Sequence, residues 1–149
     1  MEEGIKSAMG FTEAYQEKMG IAKTDPAMYS PLVLAYIGDG AYELMIRAKV
    51  VSRGNMQVNK LHKKSTSLVK AQAQARMVRL LEPELTDEER AVFKRGRNAK
   101  SMTAAKNATI IDYRTATGFE ALVGYLYLSE QYERLAELIS HGLEKMGEA

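Results

Sequence analysis

Apolar residues recur along this chain three and four positions apart, and nowhere does strict apolar and polar alternation last long enough to make a strand. The pattern predicts an all-α protein. The segment up to about residue 27, around Phe11-Thr12-Glu13-Ala14-Tyr15, reads as one short amphipathic helix or a loose arm, interrupted by Asp25-Pro26. Ser30 then offers an N-cap with Pro31 in the first turn, opening a helix that runs to about Ser52, with Gly54 just past its end. Helical spacing resumes over about Gln57 to Leu81, with one break expected near Ser65-Thr66-Ser67. Thr86-Asp87-Glu88-Glu89 has the capping-box pattern and starts a helix that fades near Gly96. A polar segment from about Asn98 to Tyr113 reads as a loop, and helices over about Arg114 to Leu128 and Glu130 to Lys145 close the domain. The layout divides into an N-terminal extension, 1–28, and one domain, 29–149, with no internal repeat.

Two of these helices are apolar along most of their length yet carry acids near the middle. Between Leu32 and Ile46 the only charges are Asp39 and Glu43, and between Ala116 and Leu128 the only charge is Glu120. An ionised carboxylate in such surroundings costs several kcal/mol unless it is paired, hydrogen-bonded or bound to a cation. The partner is either a Lys or Arg in a structural ion pair or a hard divalent cation, for which oxygen ligands suit Mg²⁺. Gly38 and Gly40 flank Asp39, each at a cost of roughly 1 kcal/mol relative to Ala inside a helix. Close approach of a backbone, a metal or a phosphate would offset that cost. Glu43 lies one turn from Asp39, placed either to assist a metal or to pair with Arg47.

Composition narrows the chemistry. With no cysteine there is no disulfide, thiolate nucleophile or Cys-based zinc site, and His62 and His141 are the only imidazoles. The first residues lack the layout of a secretory signal, and the longest uncharged stretch, Pro26 to Gly38, falls short of the ~18 residues of a membrane span. A cytoplasmic protein without a membrane partner is expected. Gly96-Arg97-Asn98-Ala99-Lys100-Ser101 ends like a P-loop but lacks glycine at Lys94 and Ala99, so no nucleotide cradle is supported. The formal charge of the 149 residues is only +2, yet it is segregated. From Arg47 to Arg79 there are nine Lys/Arg and no acid, and from Arg90 to Lys106 six more, again with no acid. Two such runs point to a polyanion partner.

Ala35-Tyr36-Ile37-Gly38-Asp39, then Lys94-Arg95-Gly96-Arg97-Asn98-Ala99-Lys100-Ser101, then Phe119-Glu120-Ala121-Leu122-Val123-Gly124-Tyr125 closely resemble the Mini-ribonuclease III family, and Leu61-His62-Lys63-Lys64-Ser65 fits as well. This is the branch with the ribonuclease III catalytic domain and no double-stranded-RNA-binding domain. The resemblance spans about Pro31 to Gly142. It implies a helical bundle of the ribonuclease III endonuclease-domain kind over 29–149, working as a homodimer with two active sites along a groove for double-stranded RNA. Asp39 and Glu120 fall on the catalytic, metal-binding acids. Two further acids of the larger family fall here on Ala35 and Thr117, which leaves Glu43 or waters to complete the coordination.

The implied reaction is Mg²⁺-dependent hydrolysis of RNA phosphodiesters, with Mn²⁺ as an admissible substitute, giving 5′-phosphate and 3′-hydroxyl ends. The implied substrate is the 23S rRNA precursor, with room for a large-subunit ribosomal protein bound to it. Lys63, Lys64, Arg95, Arg97 and Lys100 are the candidate RNA phosphate contacts. They would read backbone and helix shape, because A-form RNA hides its base edges in a deep groove. The loss of two acids keeps one alternative in view, a non-catalytic double-stranded-RNA-binding module of the same fold. A helical interaction protein with structural ion pairs is a second.

Overall fold

In the computed structural model, which describes residues 13–99 and 109–148, helix α1 (Pro31–Ser52) opens at the expected cap: the Ser30 side chain accepts from Val33 N at 3.3 Å, with proline in the first turn. Its buried positions, Leu34, Ala35, Gly38, Tyr42, Ile46 and Val50, form one stripe at helical spacing. Helices α2 (Val58–Val69) and α3 (Ala71–Leu81) follow, then α4 (Asp87–Asn98), α5 (Ile110–Leu128) and α6 (Tyr132–Lys145). Short 3₁₀ turns lie at Pro26–Met28 and Glu82–Glu84, and the described residues contain no strand.

The core is built around α5, which packs against α1, α3, α4 and α6. Its buried residues face nearly every direction, as befits the central helix of a bundle. Phe119 meets Tyr42 of α1 edge to face, ring centroids 5.3 Å apart, and Ile46, Met77, Leu81, Leu122 and Leu126 fill the space around them. The Tyr42 hydroxyl donates to the Leu68 carbonyl at 2.8 Å, tying α1 to the end of α2.

Three boundaries differ from the expectation. The break in the second helical stretch falls at Lys70, whose backbone is extended, and not at Ser65-Thr66-Ser67. Thr66 and Ser67 turn their hydroxyls back onto the carbonyls of His62 and Lys64, at 2.8 and 2.6 Å, so they stay helical. The last long apolar helix starts at Ile110, because the Thr109 side chain accepts from Asp112 N at 3.0 Å and caps it there. α6 starts at Tyr132, since Glu130 adopts a left-handed φ of 59° that ends the preceding turn. The capping box at Thr86 and Glu89 forms as expected. Glu89 also binds Arg134 of α6 through two bonds of 2.8 and 2.9 Å, joining α4 to α6. Within the expected extension, residues 13–18 are helical, and the Tyr15 and Tyr127 hydroxyls share a hydrogen bond at the end of α5. Among the described residues no helix is long and apolar enough to cross a membrane.

Candidate active site

The crossing of α1 and α5 sets the site. A Cβ at Gly38 would stand 1.8 Å from the Glu120 carbonyl oxygen, and one at Gly124 would stand 1.9 Å from that of Leu34. Only glycine at both positions lets the two backbones come this close, which answers the helix-propensity cost of Gly38. The residue after Gly38 is Asp39, so the same crossing brings its carboxylate against that of Glu120.

The consequence is electrostatic. Burial pushes the Glu120 carboxyl up to about 8, and a hydrogen bond shared with Asp39 and the charge of Asp39 push in the same direction. A hydrogen bond from Gln74 of α3 works the other way and favours the carboxylate. Asp39 is exposed while Glu120 is half-buried, so the pair opens to solvent on the Asp39 side. Two acids that cannot both be ionised at ordinary cost form a place for a proton or a cation.

Gln74 was not visible as a site residue in the sequence. It is 3% exposed, donates from Nε2 to the Val69 carbonyl at 2.7 Å, and its Oε1 has no hydrogen-bond partner. An amide at helical spacing with the apolar positions Met77, Val78 and Leu81 was the available signal, and Gln72 two residues earlier blurred it. Ala35 is buried, and the Thr117 hydroxyl donates to the Tyr113 carbonyl of its own helix at 3.0 Å, so neither supplies an anionic oxygen. Glu43 accepts from Arg47 Nη2 at 2.8 Å. Among the described residues no group of three His, Cys, Asp or Glu side chains could hold a metal. The donor set is thus the two carboxylates of Asp39 and Glu120. Two hard oxygen donors suit a hydrated divalent cation that keeps several waters.

The cationic candidates fall into two groups. Arg95 and Arg97 lie in the last turn of α4, and Gly96 between them packs on α5: a Cβ there would stand 2.7 Å from Ala121 Cβ and 3.3 Å from the Thr117 carbonyl oxygen. Arg97 covers the Phe93 ring, its guanidinium carbon 5.5 Å from the centroid. Lys63 is exposed on α2, whereas Lys64 donates to Glu148 at 2.8 Å. Lys100 lies outside the described residues. His62 lines a cavity of about 190 Å³ between α1 and α2, and His141 binds Glu84 at 2.9 Å, away from the acid pair.

A sequence profile of the ribonuclease III domain matches residues 32–131, a span that contains both acids and the α4 arginines. The chain belongs to the ribonuclease III family. Within that family it is similar to proteins named Mini-ribonuclease 3. The Clostridium tetani protein is 54% identical over 118 residues, covering 78% of each chain. The Thermoanaerobacter protein is 45% identical over 143 residues, covering 96% of this chain and 99% of its own. A crystal structure of a Fusobacterium nucleatum protein superposes with a TM-score of 0.74 at 28% identity, covering 83% of this chain and 98% of that one. The ribonuclease III assignment makes the chain an endoribonuclease and carries the all-helical fold with it.

Proposed function

We propose that this chain is a Mg²⁺-dependent endoribonuclease that cuts double-stranded RNA to 5′-phosphate and 3′-hydroxyl ends. The observation that carries the reading is the Asp39–Glu120 pair, two facing carboxyls of which one is pushed up to about 8. Asp39 and Glu120 would hold the ion, which supplies charge neutralisation at the phosphoryl oxygen and a lowered pKa for the attacking water. Asp39, exposed, faces the substrate side; Glu120, half-buried, is held from behind by Gln74. Arg95 and Arg97, in the last turn of the helix that packs Gly96 on α5, would neutralise phosphates flanking the cut.

The working unit is a homodimer. On α1, Val33, Tyr36, Leu44 and Val51 are 47, 83, 70 and 60% exposed and share one helix face with Gly40, where an added Cβ would meet nothing within 4 Å. Such a largely apolar stripe, interrupted by Arg47 in its pair with Glu43, suits a second copy of the chain. Since Asp39 is on the same helix, pairing along it would set two acid pairs near one groove. The family resemblance extends the reading to the cytoplasmic 23S rRNA precursor as substrate, with a large-subunit ribosomal protein on it, and to Mn²⁺ as a substitute ion.

The test is cleavage of an end-labelled RNA duplex at low salt, with Mg²⁺ or EDTA, by the wild type and Asp39→Asn. Scission is expected only with Mg²⁺, the variant falling by about 10²- to 10³-fold, the scale on which preorganised charge stabilisation is lost. Duplex binding without scission, alike in both proteins, would mean a non-catalytic RNA-binding module.

A further inference from the structure

Near the end of α1, cations from three elements gather around one residue, Glu148. Lys64 Nζ of α2 donates to Glu148 Oε2 at 2.8 Å, and Arg53 Nη2, at the end of α1, donates to the Glu148 carbonyl oxygen at 2.6 Å. Arg76 of α3 adds its charge to the same carboxylate. All three belong to the acid-free run from Arg47 to Arg79, which supplies no partner of its own. The carboxylate comes from 84 positions beyond Lys64.

Its delivery is built into the backbone. After α6, Gly147 takes a left-handed φ of 76°, with Gly147 N bonded to the Glu144 carbonyl at 2.9 Å and Glu148 N to the Leu143 carbonyl at 2.7 Å. This is a Schellman turn, which reverses the chain and lays residue 148 back against the bundle. The contact is fixed yet open to water, since the Lys64 and Glu148 side chains are 39 and 30% exposed. An exposed pair of this kind is weak, so another anion can replace the carboxylate at little cost.

The Glu148 carboxylate, bonded to Lys64 at 2.8 Å and within the field of Arg53 and Arg76, stands where the anionic oxygens of a phosphodiester could be held. We infer that Arg53, Lys64 and Arg76 form an auxiliary site for a backbone phosphate of duplex RNA, and that Glu148 covers this site in the free protein as a built-in competitor. The inference rests on the double-stranded-RNA reading above. The competitor has a clear effect: Lys64, already paired with the Glu148 carboxylate, releases no counterion when a polyanion arrives, so it adds nothing to indiscriminate binding. Only a duplex seated with phosphate at this position displaces the side chain and recruits them.

The test is binding of an RNA duplex across a salt series, in the Asp39→Asn background so that strands stay intact, comparing Glu148, Glu148→Gln and Glu148→Gln with Lys64→Gln. Glutamine keeps the shape and the turn but removes the competing charge. Glu148→Gln is expected to bind about 3- to 10-fold more tightly at low salt, with the logarithmic salt slope steeper by about one, the scale of one added phosphate contact. Adding Lys64→Gln is expected to remove the gain. Binding by the parent that Glu148→Gln leaves unmoved in affinity and slope overturns this site alone, as does a gain that survives Lys64→Gln. No duplex binding by any of the three overturns the double-stranded-RNA reading and this inference with it.

Discussion

Glu120 shows how a single residue can report on the site through stability. Burial and Asp39 push its carboxyl up to about 8 in the folded protein, from an ordinary 4.5. Between those two values the folded state holds a proton that the unfolded state has released. Stability is therefore fully present below 4.5 and is lost as pH rises through 8, by at most about 5 kcal/mol. Thermal unfolding in EDTA is expected to show a lower Tm at pH 9 than at pH 6 in the wild type and a flatter profile in Glu120→Gln. Mg²⁺ is expected to raise the Tm at pH 9, where Glu120 is ionised and most in need of a cation. Parallel pH profiles for the two proteins would show that Glu120 is not the titrating group. The acids themselves were legible in the sequence, as lone charges in apolar helices. Gln74 was not, since its importance depends on α3 crossing behind Glu120, and no local pattern encodes that crossing.

At the scale of elements, what could be read locally and what could not separate along physical lines. The caps at Ser30 and Thr86 were legible because they need only side chains within three residues. The start of α5 at Thr109 followed the same rule, but the polar run before it hid the cap. The break at Lys70 was misplaced because Thr66 and Ser67 can satisfy their hydroxyls inside a helix, a choice settled by packing. The tie between Glu89 and Arg134 is long-range and invisible to periodicity. It is also strong: Glu89 is 4% exposed, and its oxygens accept from Arg134 and from Thr86 N at 2.9 Å, so it caps α4 and holds α6 at once. Burial works to raise the Glu89 carboxyl, but Arg134 and Thr86 together hold it below its ordinary value. Glu89→Ala leaves the guanidinium without its partner and α4 without half its capping box, and is expected to cost about 3–5 kcal/mol in chemical denaturation. A loss below about 1 kcal/mol would mean that the pair behaves as a surface bridge.

For the whole molecule, the same helix that bears Asp39 turns its inner stripe to α5 and its outer stripe to solvent. Burying Tyr42 and Ile46 explains the fold, whereas exposing Tyr36 and Leu44 costs solubility without any return inside one chain. The proposed pairing of two copies along this stripe would cover the exposed residues, and the open space at Gly40 would let a partner helix approach. Leu44→Glu puts a charge on that stripe, at a position 70% exposed in the single chain, so the fold of the chain should survive the change. Sedimentation is expected to give a dimer for the wild type and a 16.6 kDa monomer for Leu44→Glu, with the pH profile of unfolding assigned to Glu120 retained. Duplex cleavage is expected to fall at least about 10-fold, because uniform electrostatic attraction to a duplex scales with the number of cations that engage it and the monomer presents half of them. A wild type that sediments at 16.6 kDa while cutting both strands at full rate would remove the dimer from the mechanism and leave the α1 stripe to some other partner.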